Sequence, residues 1–360
     1  MIRYAVIMAG GSGERFWPVS RQNRPKQLLR LTHPEQTLLE EAVLRAEPMF
    51  GGGNTFVATG HSLRESILAT GLIQAENVLA EPCKKNTLGC LAWVAANLVA
   101  RHAGKEGEVS IAVLTADHAI GTPDVFRKTL DKALTTAEST GGLVTIGIKP
   151  VRPETGYGYV ELAEVVDASA PEVFRVSKFR EKPDLKTAEH YVGSGNYLWN
   201  SGMFFWTLKA FLSEMSHANP EVFQTIVQMA TLIRQGSEDA AATVFADLPS
   251  ESIDYALLEK ASQVYTVAGS FPWDDVGAWD ALERSLPTDE NSNVVLGDAI
   301  AVESEGTIIY NDSDRMLATT IGVKDLIIVV TDNAVLVCPK SEAQRVKEIL
   351  KKLPADSHLR

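Results

Sequence analysis

The sequence is poor in cysteine and in basic residues, and both shortages narrow the classes of protein to which it can belong. Only three cysteines occur among 360 residues, without a Cys-x-x-Cys pair, so we expect no disulfide framework, no thiolate metal site and a reducing, cytoplasmic compartment. Lys and Arg number 34 against 46 Asp and Glu, a net charge of −12. Because nucleic-acid binding favours basic surfaces, this balance argues against it.

Long apolar runs are missing as well. The apolar stretch at residues 4–9 is too short for the core of a signal peptide, and charged and turn residues follow it directly. No apolar run approaches the roughly 20 residues of a membrane span, so no membrane association is expected. Hydrophobic residues still make up 45% of the chain, which is enough for one large domain with an appendage or for two domains.

Short β-like runs alternate with helical patterns over the first 148 residues. The predicted strands are "RYAVIMA", "NTFVAT", "NVLAEP", "VSIAVLTAD" and "GLVTIGI"; helices are predicted at 62–70, 87–102 and 123–139, with Thr87 and Thr122 as N-caps. This alternation predicts an α/β, Rossmann-like domain with a mixed, mainly parallel sheet. Ligands bind beyond the carboxyl ends of such strands, which places residues 10–15, 81–87 and 117–118 at one edge.

The pattern changes after Ile148. "GYGYVELAE" and "VFRVSKFREKP" predict a β-pair, three helical stretches reach residue 260, and "SQVYTVAGSF" predicts another strand. A polar linker at 286–293 then precedes short β-runs and an amphipathic helix at 341–353. We therefore predict a large α/β domain at 1–288 and a small β-rich domain at 289–360, with stacked turns like those of a left-handed β-helix.

A glycine-rich segment, "MAGGSGERFWPVSRQNRPKQLLRL", follows the first predicted strand. It is not a dinucleotide fingerprint, because Phe16 stands in place of the third glycine, and it lacks the Gly-Lys-Ser/Thr of a P-loop. Bare backbone at Gly10, Gly11 and Gly13, followed by Arg15 and Lys26, suits the binding of a polyphosphate. The alternative is an ordinary βα turn carrying surface cations.

The segment resembles the signature of the sugar-nucleotide pyrophosphorylases, most closely that of the mannose-1-phosphate guanylyltransferases. Further blocks match in order along residues 1–285: "EPCKKNT", "LTADHAI", "TGYGYVE", "FREKPD", "YLWNSGMFFW", "SIDYALLEK" and "WDDVGAW". The ordered set is far more specific than any one block. The resemblance implies nucleotidyl transfer, with Arg15, Lys26 and Lys182 as the catalytic cations.

The resemblance also implies a Mg²⁺ ion held by Asp117 and Asp275 from opposite sides of a cleft. Asp117 ends a strongly apolar strand, and Asp275 precedes Val276-Gly277. Asp274 remains an alternative ligand, and a turn or capping aspartate is the alternative interpretation of Asp117. We expect His118 to lie near the phosphates rather than on the metal.

Substrate contacts follow from the same resemblance. Lys182 is expected on the sugar 1-phosphate, and Glu181 on sugar hydroxyls. The other predicted contacts are Gly156, Tyr157, Gly158 and Asn200 for the sugar, and Ala9, Gly10, Gly11, Gly13, Asn86 and Thr87 for the nucleotide. Plainer alternatives are a solvated strand end at Glu181-Lys182, a core role for Tyr157 and a helix cap at Thr87. Asp254 is predicted to be structural, in a helix capped by Ser252 with Tyr255 and Leu258 facing inward.

The predicted reaction joins GTP and mannose 1-phosphate to give GDP-mannose and pyrophosphate. Two alternatives stay open: the same chemistry with another hexose phosphate or nucleotide, and a catalytically silent sugar-nucleotide sensor. Residues 289–360 are too few for the isomerase cupin domain of some relatives, so we expect a single activity. A homodimer is expected from the resemblance, whereas the choice of guanine over adenine does not follow from the residues.

Overall fold

A computed structural model describes residues 1–354 and 356–360. Its strands are β1 Ile2–Met8, β2 Thr55–Gly60, β3 Val78–Glu81, β4 Val109–Thr115, β5 Ala119–Ile120, β6 Leu143–Ile148, β7 Tyr159–Asp167, β8 Ala170–Arg180, β9 Tyr197–Thr207, β10 Val264–Gly269, β11 Trp273–Asp274, β12 Val294–Leu296, β13 Ala299–Val302, β14 Ile308–Asn311, β15 Ala318–Ile321, β16 Leu326–Val330 and β17 Val335–Pro339. Its α-helices are α1 Leu38–Phe50, α2 Arg64–Leu68, α3 Asn86–Arg101, α4 Pro123–Thr140, α5 Leu185–Ser194, α6 Leu208–Ala218, α7 Pro220–Arg234, α8 Glu238–Ala246, α9 Leu282–Ser285 and α10 Lys347–Leu350.

Packing divides the chain into two compact units, each assembled from three segments. The first unit contains Met1–Met8, Val43–Thr115 and Gly121–Phe271. The second contains Ala9–Ala42, Ala116–Ile120 and Pro272–Arg360. This division differs from the boundary predicted between residues 288 and 289, because the glycine-rich segment and Asp117 pack with the C-terminal residues. The boundary between residues 288 and 289 therefore stays a prediction.

The first unit is built on a nine-stranded sheet in the order β3-β2-β1-β4-β9-β6-β10-β8-β7. Strands β8 and β9 run against the other seven, so the sheet is mixed and mainly parallel, as predicted. β7 also pairs with β9, which closes β9, β6, β10, β8 and β7 into a ring of paired strands. One large hydrophobic core packs α3, α6, α7 and α8 against this sheet.

The second unit contains the β-rich C-terminal strands. β12, β14 and β16 stack in parallel, β17 closes that sheet in the antiparallel sense, and β13 and β15 form a second parallel ladder. The repeated strand-by-strand stacking confirms the prediction of stacked β-helix-like turns. A second core joins these strands to the glycine-rich segment, with Phe16 and Trp279 both completely buried at its centre.

Several local predictions are wrong. The helix predicted at 62–70 is reduced to α2 preceded by a 3₁₀ turn, and the predicted terminal helix is a 3₁₀ segment at Lys340–Arg345 followed by α10. Thr122 precedes α4 but makes no capping hydrogen bond, because its φ of 44° is left-handed.

The three cysteines are free thiols. Within the described residues, no helix combines the length and apolarity needed to cross a bilayer.

Candidate active site

The glycine-rich segment makes a tight turn directly beside Lys26. Gly13 has φ +64°, and a Cβ placed on it would lie 2.4 Å from the Lys26 Cβ. Its carbonyl accepts a hydrogen bond of 2.8 Å from the Phe16 amide, which starts the 3₁₀ turn Glu14–Phe16. A side chain at position 13 would therefore push Lys26 away, so this glycine is required by both conformation and space.

Lys26 brings the two predicted metal-binding segments together. It is 5% exposed, and its Nζ donates to Asp117 Oδ2 at 2.8 Å and to the Asp275 carbonyl at 2.7 Å. Burial opposes ionisation of Asp117, yet the Lys26 ammonium and the His118 ring hold the pKa of that carboxyl below its ordinary value. The second unit thus contains a buried cation shared by both segments, and an ionised carboxylate.

Asp274 and Asp275 have different surroundings. Asp274 is buried, accepts 2.8 Å from the Val276 amide and pairs with Arg284 at 2.7 Å, so it holds the turn. Val276 has φ +47°, a costly conformation for a β-branched residue. Asp274 is therefore engaged in a structural task, and the role of Asp275 as the metal ligand stays a prediction.

Arg15 carries an unsatisfied donor. Its Nε is buried and donates no hydrogen bond to any described residue, an arrangement that is costly without a bound partner. Gly10 and Gly11 nearby are exposed. The Ala9 carbonyl, by contrast, accepts 2.9 Å from the buried Gln27 amide. Gln27, the residue after Lys26, was not predicted from the sequence. Its side chain holds the start of the glycine-rich turn through this hydrogen bond.

C-terminal residues support the signature segment within the second unit. The Arg24 guanidinium, two residues before Lys26, forms a two-pronged ion pair with Asp312, which follows β14. The Trp279 indole donates 3.1 Å to the Trp17 carbonyl, and the Trp17 indole donates 2.9 Å to the Leu359 carbonyl. The segment that carries Arg15 and Lys26 is therefore held from residues far along the chain.

Replacing Asp312 by alanine is expected to lower turnover about tenfold, because Arg24 would no longer be anchored and Lys26 would be displaced. The measurement is pyrophosphate release at saturating substrates, alongside the melting temperature. Asp314→Ala is the matched control, since Asp314 is exposed two residues away. Equal turnover in the two variants would contradict the supporting role.

A second group of predicted residues meets in the first unit. A Cβ on Gly158 would lie 2.5 Å from Glu181 Oε2, and the Gly158 carbonyl accepts 2.8 Å from the Asn200 amide. Lys182 Nζ lies 3.1 Å from Glu181 Oε1. Lys182 has φ +46°, and its amide donates 3.3 Å to the Tyr157 carbonyl. These residues form one polar cluster, which we call the glutamate cluster; their contact with a sugar stays a prediction.

Asp254 extends the glutamate cluster, although the sequence suggested only a structural role. Asn200 Nδ2 donates 3.2 Å to Asp254 Oδ1, while Asn200 Oδ1 accepts 2.7 Å from Thr145. Burial and the nearby Glu181 raise the pKa of Asp254 to about 7. It begins a π-helical turn, Asp254–Leu258, a feature frequent at functional sites. The sequence feature that could have indicated this contact is an aspartate among apolar residues in "SIDYALL".

The details predicted around Asp254 are partly wrong. Tyr255 is 42% exposed and does not face inward, whereas Leu258 is buried as predicted. The Ser252 hydroxyl accepts from the Tyr255 amide at 3.5 Å, a marginal cap. Tyr157 is buried and packs edge-on against Trp199 with ring centroids 5.2 Å apart, which agrees with the alternative core interpretation.

Asn86 and Thr87, predicted to contact the nucleotide, have hydrogen-bond partners within the protein. α3 begins at Asn86, so Thr87 is not its N-cap; the Thr87 hydroxyl instead accepts 2.9 Å from the Ile253 amide. Asn86 is exposed, has φ +61°, and accepts 2.8 Å from the Thr87 amide. Its exposed amide remains suitable for a ligand. Asn86, Lys182 and Val276 are three of the seven described non-glycine residues with positive φ, and such strain concentrates at functional sites.

The described residues contain no group of three or more His, Cys, Asp or Glu side chains placed to hold a metal. This does not conflict with a Mg²⁺ site, because Mg²⁺ is commonly bound through one or two carboxylates, with water and substrate phosphates supplying the other oxygens. His118 Nε2 lies 3.8 Å from Asp117 Oδ1, and its Nδ1 accepts 3.2 Å from the Trp273 indole. Carboxylates at Asp117 and Asp275 are suitable donors for such an ion.

Comparison with known proteins points to the same family as the sequence motifs. Residues 4–292 match the model of the nucleotidyl transferase family, and residues 297–353 match that of the MannoseP isomerase/GMP-like beta-helix domain. A mannose-1-phosphate guanylyltransferase from Klebsiella pneumoniae is 37% identical over 356 residues, which cover 95% of this chain and 72% of that protein. The ManC guanylyltransferase of Salmonella typhimurium is 37% identical, with coverages of 98% and 73%.

A solved structure extends the likeness to the fold. The crystal structure described as a mannose-1-phosphate geranyltransferase from Thermus thermophilus is 35% identical, with a TM-score of 0.86. The match covers 98% of this chain and 99% of that one, so it includes both the large sheet and the C-terminal strands. The chain belongs to the nucleotidyl transferase family and carries a MannoseP isomerase/GMP-like beta-helix domain.

Proposed function

We propose that this protein is an enzyme that transfers GMP from GTP to α-D-mannose 1-phosphate, producing GDP-mannose and pyrophosphate. The observation that carries the proposal is the buried Lys26, which holds Asp117 and the Asp275 backbone beside the glycine turn. The long matches to guanylyltransferases of this substrate support the choice of sugar and base.

The second unit supplies the groups for the triphosphate. The exposed backbone of Gly10 and Gly11 offers N–H donors, and the unsatisfied Nε of Arg15 offers a charged one. Lys26 adds a compact positive charge. Since negative charge grows on the departing pyrophosphate, cations fixed in advance stabilise the transition state more than the bound substrate.

The glutamate cluster supplies the groups for mannose 1-phosphate. Lys182 is 60% exposed at its side chain and carries the charge for the sugar phosphate. Glu181, Asp254 and the oriented amide of Asn200 offer acceptors and donors for hydroxyl groups. Buried polar groups of this kind reject sugars that leave them unpaired, which is the physical basis of hexose selection.

The sugar phosphate is itself an ionised nucleophile near neutral pH, so the chain needs no strong general base. One of its oxygens forms the new bond to the α-phosphorus as the bond to the β-phosphate oxygen breaks in line. Asp117 and Asp275 would hold Mg²⁺, which supplies charge neutralisation on phosphate oxygens when bound. Residues of the chain then contribute position and charge, without a covalent enzyme intermediate.

A substrate panel tests the proposal. We expect pyrophosphate release to be fastest with GTP and mannose 1-phosphate among all pairings of four nucleoside triphosphates with mannose, glucose and fructose phosphates, and to require a divalent cation. A faster rate with another pair would replace the substrates while keeping the chemistry. Nucleotide binding without pyrophosphate release from any pair would favour the sensor alternative. Mg²⁺ as the working ion, a homodimer and a cytoplasmic location are further parts of the proposal.

A further inference from the structure

The first unit contains a cavity that the mechanism above does not use. Its volume is about 750 Å³, within the range of small-molecule sites. Residues of α4, α5, β9 and β10 line it, and the residues that follow β6 complete the wall. Leu198 and Val267 contribute buried apolar side chains, and Tyr197 contributes an aromatic ring. The lining includes no member of the glutamate cluster.

Three lysines border this cavity, which we call the lysine cavity after Lys128, Lys132 and Lys149. Lys128 and Lys132 lie four residues apart on α4, so they leave the same face of the helix. Lys149 directly follows β6. Glu172 supplies one negative charge, with its Oε1 3.5 Å from the Lys132 Nζ. Positive charges therefore exceed negative ones by two in the lining, although the whole chain has a net charge of −12.

The charges of these lysines are poorly compensated within the protein. Like charges four residues apart destabilise a helix, so Lys128 and Lys132 together are a cost to α4. Glu172 offsets this cost only at Lys132, and solvent screens the pair because its side chains are 41% and 39% exposed. Lys128 and Lys149 are exposed and have no ion-pair partner within 4 Å among the described residues. Uncompensated positive charge is thus concentrated beside an apolar lining.

We propose that the lysine cavity is a second binding site, separate from the substrate sites, for an organic phosphate, that is, a phosphate monoester on an apolar or planar body. A phosphate monoester carries a charge of about −1.5 to −2 at pH 7, which matches the excess positive charge of the lining. Lysine ammonium groups bind phosphate as compact point charges. The apolar side chains meanwhile cover the body of the ligand.

Both parts of the ligand are required by this lining. A bare phosphate ion would leave the side chains of Leu198 and Val267 uncovered, and in water the exposed lysines would bind it weakly. An uncharged apolar compound would leave the lysines unpaired. The combination of charge and apolar area therefore distinguishes an organic phosphate from either of its halves.

Methyl groups in the lining provide a direct test of occupancy. We would label the methyl groups of isoleucine, leucine and valine, add 1-naphthyl phosphate, and follow the NMR signals of Val125, Val192 and Val267, which line the cavity. We expect the three signals to shift together and to saturate, because the naphthyl ring lies among them. Inorganic phosphate and 1-naphthol each supply only one half of this probe, so each should bind at least tenfold more weakly.

Two variants test charge and space separately. Lys128→Gln combined with Lys149→Gln removes two positive charges and should weaken the binding of 1-naphthyl phosphate at least tenfold. Lys209→Gln is the matched control, because Lys209 is an exposed lysine on α6 outside the cavity, and it should bind as the wild type does. Val192→Trp should abolish binding, since the larger ring would fill the space beside α5. Unchanged methyl signals away from the cavity show that each variant is folded.

The outcomes that overturn the proposal are specific. They are an absence of saturating shifts at the three valines with 1-naphthyl phosphate, equal binding of 1-naphthol, and unchanged affinity in the folded double lysine variant. None of these measurements depends on catalysis. The lysine cavity can therefore fail its test while the proposed guanylyl transfer holds, and the proposed transfer can fail while the cavity binds its probe.

Discussion

Asp117→Asn is expected to lower the turnover of pyrophosphate release by about 10²–10³, with Asp275→Asn causing a loss of similar size. Asparagine keeps the shape of the side chain but removes the negative charge that suits a divalent cation. It also leaves the buried Lys26 without its ionised partner. The measurement is kcat at saturating GTP and mannose 1-phosphate over a range of Mg²⁺ concentrations.

Two controls sharpen this prediction. Asp124 is exposed near the start of α4, so Asp124→Asn should retain wild-type turnover. Asp274→Asn should mainly lower the melting temperature, because Asp274 is the residue that holds the turn through Arg284 and the Val276 amide. Turnover within threefold of wild type in Asp117→Asn would contradict the role assigned to this carboxylate, and a larger loss of turnover in Asp274→Asn than in Asp275→Asn would exchange the two assignments.

Lys182→Ala is the second substitution for which we expect a large loss of activity. We expect kcat/KM for mannose 1-phosphate to fall about 10²–10³-fold, since the positive charge opposite the sugar phosphate is lost. The KM for GTP should change little, because the triphosphate of GTP is assigned to residues of the second unit. Initial rates with one substrate varied at a time provide the measurement.

Lys186→Ala is the matched control for Lys182. Lys186 is exposed on α5, four residues further along, and is not part of the glutamate cluster. If the two alanine variants had the same kcat/KM for mannose 1-phosphate, Lys182 would be a surface lysine at a strand end, which was the plainer interpretation of its sequence.

The sequence predicted the large sheet well because its strands are apolar runs separated by clear turn residues. β1, β4 and β6 lie within one or two residues of their predicted bounds. The closing pair between β7 and β9 was not foreseen, since pairing between strands distant in sequence leaves no local pattern. Helix ends were predicted less well. Threonine is common at N-caps, but the left-handed backbone of Thr122 prevents a capping hydrogen bond.

The residue types of the candidate site could be predicted from the sequence. The contacts between those residues could not, because they join positions that are distant in the chain. Lys26, Asp117 and Asp275 were named from sequence, but nothing local indicates that the Lys26 ammonium touches both segments. The hydrogen bond between Asn200 and Asp254 was not predicted, because the two residues are 54 positions apart.

Each packing unit draws on three separate stretches of chain, which constrains how this protein can be cut. A fragment ending at residue 288 would keep Phe16 and Trp17 but lose the residues from β12 onward that pack in the same core. Gene truncations at the apparent boundary should therefore yield insoluble product rather than a minimal catalyst. Transferring the glycine-rich turn to another scaffold would likewise require the C-terminal strands that pack against it.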